Sequence, residues 1–267
     1  MTSIQKTIAF KGGNVHYTVS GNGSAVVLLH GFLENSSMWE VYEKRLSNRH
    51  KVLAIDLPGH GKTACFGYVH SMELMAEMVL GVLKKERLRK VSFVGHSMGG
   101  YVALAFAEAY PDMMKGLCLF FSTARADTKM KREGRDKAIS LVKRNANSFV
   151  RHSIPLLFRP KNRTLFRDEV KALKSEALRT SKQGIIAALE GMKIRDDREI
   201  VLKFAPYPVH FVIGEKDPII PLDKMMEQLR DKPHISYKVI KGCGHMGHIE
   251  EREWCWEEIQ YAVESFS

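Results

Sequence analysis

Val91-Ser92-Phe93-Val94-Gly95-His96-Ser97-Met98-Gly99-Gly100 joins a mostly apolar run of four residues to Gly-x-Ser-x-Gly. The run reads as a buried strand. Tyr101 to Ala109, rich in alanine and followed by Pro111, reads as a helix. A serine between strand and helix, with glycine two residues away on each side, is the pattern of a nucleophile carried on a tight turn. The reason is steric. The turn brings the −2 and +2 positions so close that Gly95 and Gly99 must lack side chains. The serine is held in a strained conformation that lifts its hydroxyl clear of the backbone. The helix behind it aims N-terminal N–H groups at negative charge developing beside that hydroxyl. An ordinary Gly-rich turn with a solvated serine would show the same five letters, and the flanking strand and helix separate the two readings.

On either side, strand-like and helix-like runs alternate. Thr7 to Phe10 and Val15 to Val19 read as a hairpin around Lys11-Gly12-Gly13-Asn14. Ala25 to Leu29, Lys51 to Ile55 and Leu117 to Phe121 are short apolar runs suited to buried parallel strands. Ser37 to Leu46 reads as helix. Met72 to Glu86 does so more firmly, with Ser71 as its cap and Leu74, Met75, Met78, Val79 and Val82 at helical spacing. Past Thr123 the strands stop, and helix-compatible sequence runs to about Lys203. Pro206 and Pro208 then mark a return to the strand Val209 to Ile213, the helix Leu222 to Leu229, the strand Ser236 to Ile240 and a closing helix, Trp254 to Glu264. The fold class is therefore α/β, a mostly parallel central sheet with helices on both faces and an inserted helical cap. Residues 1–122 and 204–267 form the core and 123–203 the cap.

The bulk numbers agree with a globular protein: 45% hydrophobic and 27% charged over 267 residues, enough for one large domain with an insertion. Met1 to Phe10 lacks the apolar stretch of a secretory signal, and no run approaches the roughly 18 apolar residues of a membrane span. Cys65, Cys118, Cys243 and Cys255 have neither metal nor redox spacing, so they read as reduced thiols of a cytoplasmic protein. The formal net charge is +11. Residues 123–203 alone carry 21 Lys/Arg against 10 Asp/Glu, while the remainder carries 20 of each. All of the excess sits in the helical segment. It reads either as a solvated surface or as an attractor for an anionic or carrier-bound substrate. No nucleic-acid motif accompanies it.

A serine hydroxyl needs a base, and the base needs a partner that orients it. Asp217 follows the strand 209–213 in Gly214-Glu215-Lys216-Asp217-Pro218, with Glu215 and Asp223 as rivals. His245 follows the strand 236–240 in Gly242-Cys243-Gly244-His245-Met246-Gly247-His248, with His248 as its rival. A metal reading of His245 and His248 lacks a third ligand, so no metal is expected. The order Ser, Asp, His is that of hydrolases with this turn. His30-Gly31-Phe32 follows the strand 25–29. The main-chain N–H groups of Phe32 and Met98 could hold a developing oxyanion, or this could be a plain loop with Phe32 in the core. Gly31, Phe32, His96 and Met98 are the candidate pocket residues, although His96, inside the turn, reads first as structural. Asp56 and His60 read as braces of the Asp56–Gly61 loop. Trp39, Trp254 and Trp256 read as packing residues.

His30-Gly31-Phe32, Asp56-Leu57-Pro58-Gly59-His60-Gly61, Gly95 to Gly100, Gly214 to Asp217 and Gly244-His245, in this order, resemble the α/β-hydrolase superfamily, in its capped esterase/lipase and haloperoxidase-like branch. Met192-Lys193-Ile194-Arg195-Asp196 resembles a segment often seen at the end of the cap. The likeness covers nearly the whole chain outside 123–203. Dehalogenases and epoxide hydrolases of this fold carry aspartate where Ser97 stands, and a His-Gly-Gly-Gly oxyanion loop does not match Phe32 after Gly31. The resemblance implies Ser97 as nucleophile, His245 as base, Asp217 as its orienter, Phe32 and Met98 as oxyanion donors, and no cofactor. It implies carboxylic ester hydrolysis through an acyl-enzyme, with a small-molecule ester as substrate. Thioester hydrolysis, carbon–carbon bond hydrolysis and perhydrolysis use the same triad, and a non-catalytic binding protein is the remote alternative. The natural substrate and oligomeric state are not legible.

Overall fold

A computed structural model describes residues 3–266; Met1, Thr2 and Ser267, the ends of the expected core, lie outside the described residues. An eight-stranded sheet runs in the order β1-β2-β4-β3-β5-β6-β7-β8. Its strands are β1 (Ile4–Phe10), β2 (Gly13–Ser20), β3 (Ser24–Leu29), β4 (His50–Ile55), β5 (Val91–His96), β6 (Met114–Phe120), β7 (Val209–Gly214) and β8 (Ser236–Ile240). β1 pairs antiparallel with β2, and β2 with β4; every other pairing is parallel. The helices are α1 (Glu40–Leu46), α2 (Met72–Lys85), α3 (Met98–Ala109), α4 (Lys129–Leu156), α5 (Asn162–Leu165), α6 (Arg167–Ala177), α7 (Lys182–Lys193), α8 (Glu199–Phe204), α9 (Leu222–Leu229), α10 (Gly247–Glu250) and α11 (Arg252–Ser265).

Side chains on a strand alternate faces, and the apolar runs therefore feed two cores. Val27, Leu29, Leu53 and Phe93 join the cluster that holds the buried stripe of α2 and most of α3. Val26, Leu28, Val52, Val94 and Phe120 face the other way, onto Trp39, Tyr42 and Leu46 and onto Ile259, Ala262 and Val263 of α11. Ser71 caps α2 as expected, its Oγ accepting from Leu74 N at 3.1 Å. The expected helix 37–46 is two pieces, a 3-10 turn Ser36–Trp39 and then α1. Trp254 departs from the expected packing role. It starts α11 on the solvent side and is 53% exposed, with the Lys238 ammonium over its ring.

Between β6 and β7 lie α4 to α8 and no strand. Asn145 breaks α4 with φ −155° and ψ 93°, and its Oδ1 caps the second half by accepting from Ser148 N at 2.9 Å. The two ends of this insertion are tied together. Arg198 N donates to Ala124 O at 2.8 Å, and Arg195 pairs with buried Asp127 at 2.8 Å while its guanidinium lies 4.0 Å from the centre of the Tyr101 ring. Helix α7 meets the core at two bare positions. A Cβ on Gly184 would stand 2.4 Å from Gly59 O, and one on Gly191 only 1.7 Å from His70 O. Both obstacles are backbone, which cannot swing away. Gly191→Ala is therefore expected to lower stability by about 2 kcal/mol or more, read as a fall in the thermal midpoint.

Candidate active site

Strand β5 ends at His96, and α3 begins at Met98, three residues before the helix expected from sequence. Ser97 alone makes the turn, with φ 49° and ψ −112°. An L-residue there costs on the order of 1–3 kcal/mol. Four hydrogen bonds hold its backbone: Ser97 N donates to Phe120 O at 3.0 Å, and Ser97 O accepts from Gly100 N at 2.9 Å, from Tyr101 N at 3.3 Å and from Ser122 Oγ at 2.8 Å. A Cβ on Gly95 would lie 2.6 Å from the Gly99 carbonyl, which is the close approach expected. Gly99 has a different constraint. Its Cβ would stand 2.3 Å from Leu29 O, so its bareness lets α3 sit against the end of β3.

Asp217 and His245 come from the loops after β7 and β8, at the same carboxyl edge of the sheet as Ser97. Asp217 is buried. Its Oδ1 accepts from Ile219 N and Ile220 N at 2.7 and 2.9 Å, which fixes the carboxylate plane. Its Oδ2 accepts from His245 Nδ1 at 2.7 Å. With the proton on Nδ1, the lone pair of Nε2 faces Ser97 Oγ at 2.9 Å, and the hydroxyl donates to it. The rivals lie elsewhere. Glu215 accepts from Gly242 N at 2.8 Å at the surface, and His248 Nε2 stands 3.5 Å from Glu34 Oε1. Among the described residues no group of three or more His, Cys, Asp and Glu side chains is arranged to hold a metal ion.

The loop after β3 is held from below. His30 Nδ1–H donates to Gly31 O at 2.7 Å, and its Nε2 accepts from Leu57 N at 2.8 Å. That arrangement needs the neutral ring, and burial pushes the His30 pKa down accordingly, against the pull of Asp56. Asp56 accepts from Ser36 N, Lys62 N and His16 Nδ1, and His60 Nδ1 bonds Pro58 O at 3.0 Å, so both hold their loop. Glu34 N closes a turn on Gly31 O, which leaves the N–H of Phe32 outside the turn's own bonding. As the first residue of α3, Met98 likewise has no intrahelical acceptor for its N–H.

Two expected pocket residues need correction. His96 is 1% exposed, with Nδ1 against Glu34 Oε2 at 2.7 Å and Nε2 against His245 O at 3.1 Å, so its ring lies beneath the site and does not line it. The Met98 side chain is wholly buried in the main core, and only its backbone is at the turn. Gly31 is buried too, its N–H bound to Glu34 Oε2 at 2.8 Å; Phe32 is half-buried, edge-on to His60.

Three further residues were not legible as site residues. Glu34 carries no signal in the sequence and is buried. Phe121 was expected as the last residue of a strand, but β6 stops at Phe120 and Phe121 takes φ 48°, turning its ring toward His245. Leu157 O, at the end of α4, accepts from His245 N at 3.0 Å.

Similarity to known proteins points the same way. The model of the alpha/beta hydrolase family matches residues 26–258. The chain is 29% identical over 234 residues to the dihydrolipoyllysine-residue acetyltransferase component of an acetoin cleaving system from Pseudomonas putida, covering 86% of this chain but only 61% of that one. It is 27% identical over 253 residues to a putative 2-succinyl-6-hydroxy-2,4-cyclohexadiene-1-carboxylate synthase from Bacillus subtilis, covering 89% and 90%. A thermophilic esterase from Thermogutta terrifontis, solved with malate bound, superimposes with a TM-score of 0.89 at 28% identity, over 100% of this chain and 99% of that one. A family match across most of the chain, a sheet of the same build and the serine turn at its carboxyl edge agree: this chain belongs to the alpha/beta hydrolase family.

Proposed function

We propose that the protein is a serine hydrolase that cleaves carboxylic esters through an acyl-enzyme. The observation that carries this reading is the continuous array Ser97 Oγ to His245 Nε2 at 2.9 Å and His245 Nδ1 to Asp217 Oδ2 at 2.7 Å. In the first step Ser97 Oγ attacks the ester carbonyl while His245 Nε2 takes its proton. The carbonyl electrons move onto oxygen, where the N–H groups of Phe32 and Met98 receive the charge. The C–O bond then breaks and the alcohol leaves with the proton from His245. Water attacks the acyl carbon by the same route and releases the acid. Asp217 holds the histidine tautomer and steadies the imidazolium. The similarity to an esterase over the full chain favours an ester as substrate. A fluorophosphonate probe tests the reading. Covalent labelling at Ser97 is expected, and an unlabelled serine would instead favour a hydrolase-fold binder.

In the same reading residues 123–203 cap the site, and their positive excess draws in anionic esters. The kcat/KM for an ester bearing a carboxylate is then expected to fall more steeply with ionic strength than that for a neutral ester of equal size. Equal slopes would assign the charge to solvation alone.

A further inference from the structure

We infer that Glu34 and His96 form a buried ion pair that positions the two loops of the reaction, the one carrying Phe32 and the one carrying His245. The inference rests on the acyl-enzyme reading above for what is positioned, and on its own geometry for the pair. Glu34 Oε2 accepts from Gly31 N at 2.8 Å and meets His96 Nδ1 at 2.7 Å. His96 Nε2 meets the main-chain oxygen of His245 at 3.1 Å. A carbonyl oxygen can only accept, so Nε2 carries a proton. Glu34 Oε2 already accepts one N–H, so an ionised carboxylate facing a protonated Nδ1 satisfies every atom of the chain of contacts. The path therefore runs from the turn after β3, through an imidazolium at the end of β5, to the backbone of the proposed base.

Burial, the largest single influence on Glu34, pushes its pKa up, but the charge and hydrogen bond of His96, with His248 and His30, bring it down to about 2. Burial likewise opposes charge on His96, and the Glu34 carboxylate, the His245 carbonyl and Asp217 outweigh it, so its pKa is raised. The groups facing the pair are known. His30 lies at the end of β3, Asp217 after β7, and His245 and His248 on the loop and helix after β8. His248 is kept neutral, mainly by burial, with a pKa lowered to about 4. The ring centres of His96 and His245 are 5.1 Å apart, so the positive end of the pair is turned toward the triad.

The test compares Glu34→Gln and Glu34→Ala in the full chain, with p-nitrophenyl acetate as substrate. Alanine leaves Gly31 N and His96 without their partner; kcat is expected to fall about 10²-fold with KM within about threefold, since orientation rather than binding is lost. Both contacts converge on Oε2, so glutamine can place its oxygen there to accept from Gly31 N but then offers a neutral His96 Nδ1 no donor; it should recover only part of that loss, about threefold. A merely space-filling Glu34 would not split kcat from KM in this way. Wild-type kcat in Glu34→Ala, or a kcat in Glu34→Gln no better than in Glu34→Ala, overturns the inference. Proton NMR separates it from the reading on which it rests. The His96 Nδ1–H facing Glu34 should give a downfield resonance that Glu34→Gln abolishes, while the resonance from His245 Nδ1–H facing Asp217 persists. An inactive wild-type protein with both resonances would sink the ester reading and leave the pair standing; absence of the Glu34-dependent resonance would sink the pair.

Discussion

Ser97→Ala is expected to lower kcat/KM on a simple aryl ester by a factor on the order of 10⁴ or more. In the proposed mechanism the variant lacks the attacking hydroxyl, 2.9 Å from His245 Nε2, while the N–H groups of Phe32 and Met98 and the proposed base remain. What survives is the modest contribution of binding and oxyanion stabilisation. The fold should not notice. Alanine meets the same positive φ as serine, so it neither relieves nor adds strain, and the four hydrogen bonds that hold position 97 use its backbone. The control is therefore a thermal midpoint close to that of the wild type. Turnover equal to wild type in a well-folded Ser97→Ala would remove Ser97 from the chemistry.

Asp217→Asn is the second large expectation, a loss of about 10³–10⁴ in kcat. The amide oxygen can still accept from Ile219 N and Ile220 N, so the loop stays in place. The NH₂ group then faces His245 Nδ1 and can only donate to it. That contact forces the ring proton onto Nε2, where it points at Ser97 Oγ and blocks proton removal. The loss is thus one of tautomer rather than of geometry. Steady-state kinetics with a crystal structure of the variant checks it: an unmoved ring with full activity would show that Asp217 does not orient the base.

The alternation of strand and helix was legible because parallel strands buried on both faces must be apolar throughout and the helices between them must be amphipathic. The positions of Ser97, Asp217 and His245 were legible for a related reason. Each sits just past the carboxyl end of a parallel strand, and those ends share one edge of the sheet. Glu34 was not, since nothing within a few residues of an acidic loop position tells whether the chain folds over it. His96 and Met98 fall in the candidate pocket by their neighbours in sequence, while their own side chains are buried, as the structural reading of His96 has it. Phe121 reads as a strand residue on its apolarity, which carries no sign of φ. Trp254 shows the converse, a large ring left at the surface by the face of α11 on which it falls.

The segment 157–162 grips the loop that carries His245. Leu157 O binds His245 N, Arg159 Nη1 donates to Gly242 O at 3.1 Å, and Arg159 N and Asn162 Nδ2 both reach Glu250 Oε2. Glu250 in turn accepts from Met246 N at 3.2 Å, and Gly244 has no room for a Cβ against Arg159 N. Anyone grafting a foreign insertion onto this chain to change its preferences would thus also be rebuilding the bearing on which the imidazole turns. On the proposed ester reading, chimaeras that retain 157–162 and exchange the outer helical turns are expected to change selectivity at constant turnover; wholesale swaps should slow every ester alike.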